Sequence, residues 1–156
     1  MSKSALQLEL GKINPFDSLE QEVSLNLART QDELFQQFMI LFESKGISGS
    51  QYNVLRILRG KAGDGTSCQE VACQMINRMP DITRLVDRLE KAELVERRRT
   101  PSDRRVVLIK ITKKGLDLLQ CLDQPVLDLH KKLLGHLSHE ELVELNRLLV
   151  KARSKS

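Results

Sequence analysis

The side chains best equipped for chemistry in this 156-residue chain are arginines and their polar neighbours between residues 81 and 105. Thr83, Arg84 and Arg88 recur at spacings that share one face of a helix, Arg97-Arg98-Arg99 form a run, and Asp103-Arg104-Arg105 follow a few residues later. A guanidinium stays charged at neutral pH and presents a planar fork of donors, which matches phosphate oxygens and the acceptor edge of guanine. A threonine beside such groups adds a hydroxyl and a methyl, the latter complementary to a thymine methyl. The same residues have a plainer reading. On a solvated helix Arg84 and Arg88 can pair with Asp81, Asp87 or Glu90, and a basic turn can serve solubility alone.

Other chemistries find less support. Three cysteines (Cys68, Cys73, Cys121) are too few for a disulfide scaffold. Cys68 stands near the start of an expected helix, where a thiol's pKa falls, and Cys73 is five residues on, so a thiol-based redox switch is one alternative. Small apolar packing residues are the expected role of all three. His130, His136 and His139 are scattered around an expected helix break, and no zinc site or other metal is expected. The chain has no phosphate-cradling glycine loop, nucleophile elbow or metalloprotease motif, so neither an enzyme nor a cofactor is expected.

Behind these residues must stand elements that position them. The length suits one domain, and 40% apolar residues suffice for a packed core. With only Phe16, Phe35, Phe38, Phe42 and Tyr52 as aromatics, a helical core is favoured over aromatic-rich strands. Charge is uneven. Residues 1–75 hold 7 Lys+Arg against 9 Asp+Glu, 76–110 hold 10 against 6, and 111–156 hold 8 against 6, so the excess of cations is greatest in the centre. A basic centre suggests an anionic partner. No apolar run reaches transmembrane length, and Met1-Ser2-Lys3-Ser4 leads into no apolar stretch of signal-peptide type, so a cytoplasmic, membrane-free setting is expected.

Residues 1–15 lack periodicity and read as an arm. Apolar residues from Leu27 to Phe42 keep helical spacing, predicting a long helix over about 17–44 that Lys45-Gly46 stops. Ser48-Gly49-Ser50-Gln51 and Ser67-Cys68-Gln69-Glu70 are capping boxes opening two shorter helices, the first stopped at Gly60, with residues 61–66 between them as a loop. A further helix over about 80–92, with Pro80 in its first turn, carries Ile82, Leu85, Val86 and Leu89 on one face. Its opposite face carries Asp81, Thr83, Arg84, Asp87, Arg88 and Lys91. Two strand-like runs, 94–99 and 106–111, flank a basic turn. Helix, helix, basic ribbon is the order of a winged helix-turn-helix. Thr112 caps a helical stretch that Pro125 should kink or interrupt and Gly135 ends, and Ser138-His139-Glu140-Glu141 opens a last helix.

Over roughly residues 17–153 the chain resembles the MarR family of transcription regulators. The resemblance is carried by Thr83 to Lys91 running into Leu94-Val95-Glu96-Arg97, and by Asp103-Arg104-Arg105 followed by Val107, Ile109, Ile111-Thr112 and Gly115. It implies a mainly α fold with a small β-wing, forming one domain over 1–156. Residues 46–111 would be the winged helix-turn-helix, and 16–44 with 112–153 the helices of a homodimer. It further implies a repressor binding a pseudo-palindromic operator in double-stranded DNA, released by a small phenolic or lipophilic effector. Asp81, Thr83, Arg84, Arg88 and Arg98 would then face DNA, with Asp103 orienting Arg105, or neighbouring Arg104, into a minor groove. Ser67 and Gln69, which open the helix before the turn, are further candidates for phosphate. Arg97, Arg98 and Arg99 should approach phosphates, with strand alternation turning at least one away. Phe35, Phe38, Met39 and Phe42 are candidate effector contacts that core packing explains equally well. A winged-helix interaction module without operator affinity is the remaining alternative. Where the family often has glycine after the recognition helix this chain has Glu93, which leaves the usual left-handed cap there unsupported.

Overall fold

The computed structural model describes residues 3–61, 65–77, 81–99 and 107–154. The N-terminal arm is not featureless. Helix α1 (Ala5–Glu9) opens on a full Ser4/Gln7 capping box, and the Gln7 side-chain amide donates to the Asn14 carbonyl at 3.0 Å. Five residues are too few to display a 3.6-residue period, so periodicity could not reveal it.

Helix α2 (Leu19–Glu43) starts from Ser18, whose hydroxyl accepts from the Gln21 amide, while Gln21 reaches back to the Asp17 amide at 2.8 Å. It ends as expected at Lys45-Gly46: Gly46 takes φ +73°, and the Ile47 amide returns to the Phe42 carbonyl. Helices α3 (Gly49–Arg59) and α4 (Cys68–Gln74) begin at the two expected capping boxes. Gly60 closes α3 in the right-handed region, so it stops the helix without the left-handed turn usual for glycine.

Part of the segment expected to be loop contributes to the sheet. Thr66 bridges Ile109 through hydrogen bonds of 3.0 and 2.8 Å, and Gly65 makes this approach feasible. Its φ is +109°, and a Cβ there would lie 2.5 Å from the Ile109 carbonyl oxygen. Helix α5 (Ile82–Lys91) starts two residues later than the sequence suggests, because Asp81 takes the cap with its carboxylate accepting from the Arg84 amide.

Strands β1 (Val95–Arg99) and β2 (Val107–Ile111) pair antiparallel, with Val95 opposite Ile111 and Arg99 opposite Val107. Helix α6 (Lys113–Leu134) then runs from its Thr112 cap through Pro125 without interruption. Pro125 removes the amide that would serve the Cys121 carbonyl, but both residues are exposed, so water can satisfy the orphaned acceptor. Helix α7 (His139–Arg153) opens on the Ser138/Glu141 capping box. The core gathers Val54, Leu55, Val71, Val86, Leu89, Ile109, Leu119 and Leu122, so α3, α4, α5, β2 and α6 close around one another. The chain is thus mainly helical with a small antiparallel ribbon, as the sequence predicts.

Candidate nucleic-acid interface

The period of α5 decides what it shows. Ile82, Val86 and Leu89 are buried, which turns Thr83, Arg84, Arg88 and Lys91 outward, all of them exposed. Asp81 caps the helix through one carboxylate oxygen, and its other oxygen lies 3.9 Å from Arg84 Nε, a loose contact between two exposed groups.

The acids that might have neutralised this face are held elsewhere. Arg97, on β1, is the arginine of its run that turns inward. Its Nη2 donates to Asp87 Oδ1 at 2.6 Å, its Nη1 donates to Glu90, and its backbone amide donates to Glu90 Oε1 at 3.3 Å. Asp87, then Glu90, raise the pKa of a guanidinium that partial burial would otherwise lower. Arg97 is thus the arginine of the run that is turned away from a phosphate approach and committed to the helix. Arg98 and Arg99 remain exposed, Arg98 pairing with its strand neighbour Glu96 at 2.6 Å. Among the described residues Arg88 makes no salt bridge. Asp103, Arg104 and Arg105 lie outside the described residues.

Glu93 overturns the expectation drawn from its side chain. It takes φ +61°, its amide donates to the Glu90 carbonyl, and the Leu94 amide donates to the Leu89 carbonyl, which is a complete left-handed cap without glycine. Fixed contacts offset the strain. Lys114 Nζ reaches the Glu93 carboxylate at 3.0 Å and the Ala92 carbonyl at 2.9 Å, and the Thr112 hydroxyl donates to the Glu93 carbonyl at 2.7 Å. Behind them Gly115 packs so tightly on the Leu94 carbonyl that a Cβ would lie 2.4 Å from its oxygen. The end of α5 is thereby joined to the start of α6.

Ser67 is more occupied than its sequence position suggests. Its hydroxyl and amide both engage Glu70, which also accepts the buried Thr66 hydroxyl at 2.6 Å. Thr66, ahead of Ser67, holds the Glu70 carboxyl below its usual range. The Glu70 carboxylate thus occupies the Ser67 amide and hydroxyl at the start of α4. Gln69 is exposed.

Three of the four effector candidates lie together: Phe38 stacks on Phe42 with ring centroids 6.1 Å apart, and Phe35 and Phe42 both border Gly49. Phe42 is buried and stacked on Tyr52 at 4.3 Å, Phe38 lies 4.7 Å from the His130 ring, and Phe35 packs against Gly49. Met39 is 39% exposed. An open groove of about 540 Å³ between α2 and α6 is instead lined by neighbours including Ile40, Leu41, Pro125 and Leu129. The groove residues lie on a different face of α2 from these aromatics and carry no signal beyond their helical phase. Cys68 is half-buried at the core, but Cys73 and Cys121 are exposed, so the packing role expected of all three fits Cys68 alone. No three His, Cys, Asp or Glu side chains gather into a metal-sized cluster among the described residues, and no helix among them is long and apolar enough to cross a membrane.

Two consecutive helices, the second with a polar, cationic outer face, followed by a two-stranded ribbon, define a winged helix-turn-helix protein of the kind that regulates transcription at DNA. The MarR family model matches residues 47–107. The crystal structure of a MarR transcription factor from Planctomyces limnophilus is 44% identical and superposes with a TM-score of 0.67, covering 86% of this chain and 97% of that one. The HTH-type transcriptional regulator FarR of Neisseria gonorrhoeae is 29% identical over 136 residues, 86% of this chain and 91% of that protein. A mutant MarR from E. coli, crystallised with operator DNA, is 26% identical with a TM-score of 0.75, covering 88% of this chain and all of that one. The chain belongs to the MarR family, and its relatives are regulators of transcription, not enzymes.

Proposed function

We propose that this chain is a cytoplasmic, homodimeric repressor that binds a pseudo-palindromic operator, with α5 in the major groove and residues 100–105 in the flanking minor groove. The observation that carries this reading is the outer face of α5. Thr83, Arg84 and Arg88 point to solvent while Asp87 and Glu90 are withdrawn by Arg97. Thr83, Arg84 and Arg88 read base edges, Arg98 and Arg99 approach phosphates, and Arg105, oriented by Asp103 and flanked by Arg104, enters the minor groove. Half-sites lie about one helical turn apart.

The dimer is supported by α2 and α7. Of α2 only Phe42 is buried, and α7 has no buried residue although Val143, Leu145, Leu148 and Val150 line it. A small phenolic or lipophilic effector releases the operator, and the groove between α2 and α6 is its candidate site. Selection of bound sequences from a random duplex library, with a salt series on the winner, tests the proposal. Enrichment of an inverted repeat, bound less tightly as salt rises, is expected. A folded dimer that enriches no sequence would reject operator binding.

A further inference from the structure

Helix α5 and its cap carry Asp81, Asp87 and Glu90 against Arg84, Arg88 and Lys91, so from its own residues the helix is neutral. A neutral helix is poorly suited to a polyanion. Asp87 stands three residues after Arg84 and four before Lys91, both spacings at which side chains on a helix meet and pair. Left to themselves, these charges would satisfy one another. The structure shows a different pairing. One guanidinium from β1 takes both Asp87 and Glu90, with its side chain only 27% exposed.

We propose that Arg97 is a positioning residue that sets the charge of the DNA-facing helix. By holding Asp87 and Glu90 toward the ribbon, it keeps Arg84 and Arg88 available to an anionic partner. Arg97 itself contacts no DNA in this arrangement. Its register supports the role: Arg97 pairs across the ribbon with fully buried Ile109, so its side chain leaves the strand from a point fixed by the core. The backbone amide of Arg97 adds a donor to Glu90 and fixes that carboxylate from a second direction. The inference rests on α5 being the helix that faces DNA.

The test compares four variants of the full-length protein on the selected operator and on heparin, a polyanion without base sequence. Arg97→Gln should bind operator at least tenfold more weakly, and the slope of log affinity against log salt should become shallower by about one for each arginine captured. Neutralising the released acids in that background (Arg97→Gln, Asp87→Asn, Glu90→Gln) should restore affinity to within about threefold. Neutralising Glu9 and Glu43 instead, two exposed acids remote in sequence, should not. Asp87→Asn with Glu90→Gln, keeping Arg97, should bind no more weakly than the parent, which keeps the question open to test should Arg97→Gln fold poorly. Unrescued loss in the triple variant, or weakened binding when only the acids are neutralised, would make Arg97 a mechanical clamp and overturn the charge role. If the parent binds no operator yet the variants keep this order of elution from heparin, the operator reading fails and the role of Arg97 stands. If that order is also lost, the role of Arg97 fails.

Discussion

Helices α5 and α7 are both amphipathic and both end in basic residues, yet they are built into the chain differently. In ten residues α5 buries Ile82, Val86 and Leu89; in fifteen, α7 buries nothing. The core around α5 closes within one chain, whereas α2 and α7 leave most of their apolar residues uncovered. Apolar patterning reports that a helix has a face to hide, and only packing shows whether the same chain hides it. Under the dimeric reading, α7 finds its cover on a second copy, and α5 is a rigid part of one half-site reader.

The largest effect should come from breaking the uncovered face. Leu145→Glu with Leu148→Glu removes two leucines that are 38% and 47% exposed in the single chain, so that covering the rest in a partner is worth roughly 1 kcal/mol each, counted twice in a symmetric dimer, and sets carboxylates against an apolar face. Sedimentation equilibrium should show monomers at micromolar concentration, with operator affinity falling at least a hundredfold. A dimer that persists would move the interface off α7.

Next in size is the covered face. Leu89 is fully buried, and Leu89→Ala should cost about 2–5 kcal/mol in urea-induced unfolding. The folded fraction should remain dimeric by sedimentation, because the damage lies inside the protomer. Dissociation at concentrations where the protein is still folded would mean that the two regions are not independent.

A smaller effect separates the reading helix from the wing. Arg84→Ala should cost about 1–3 kcal/mol on the preferred operator and alter which bases are selected. Arg105→Ala should weaken binding with little dependence on major-groove sequence. Equal losses on every sequence for Arg84→Ala would reassign it to phosphate.

Much of this was legible in the residues. Capping boxes marked the starts of α3, α4 and α7, because a serine and a glutamine or glutamate three residues on satisfy the same amides wherever they occur. The phase of Ile82, Val86 and Leu89 fixed which side of α5 faces out. What the residues could not show was the partner of each charge. Arg97 reaches Asp87 and Glu90 across a turn, and Arg59 reaches Asp123 on α6 through two 2.8 Å bonds, a separation in sequence that no local spacing reports. Bridging by Thr66 was hidden for the same reason, since a single residue beside Ile109 has no alternation to detect.

The end of α5 offers the finest test, because there the sequence argued against what the chain does. At φ +61° Glu93 occupies a conformation that costs an L-residue roughly 1–2 kcal/mol. Its ion pair with Lys114 returns little: the two side chains are 81% and 60% exposed, and such pairs are worth about 0–1 kcal/mol. The stronger ties, from Thr112 to the Glu93 carbonyl and from Lys114 to the Ala92 carbonyl, use backbone acceptors that any residue supplies. Glu93→Ala should therefore destabilise slightly, losing the ion pair and keeping the strain. Glu93→Gly relieves the strain at some entropic cost in the unfolded chain, and should exceed Glu93→Ala in stability by about 1 kcal/mol. Thermal unfolding of the two variants reads the difference directly. Equal stabilities would mean that α5 ends without a left-handed residue and that its joint to α6 is looser than its geometry shows.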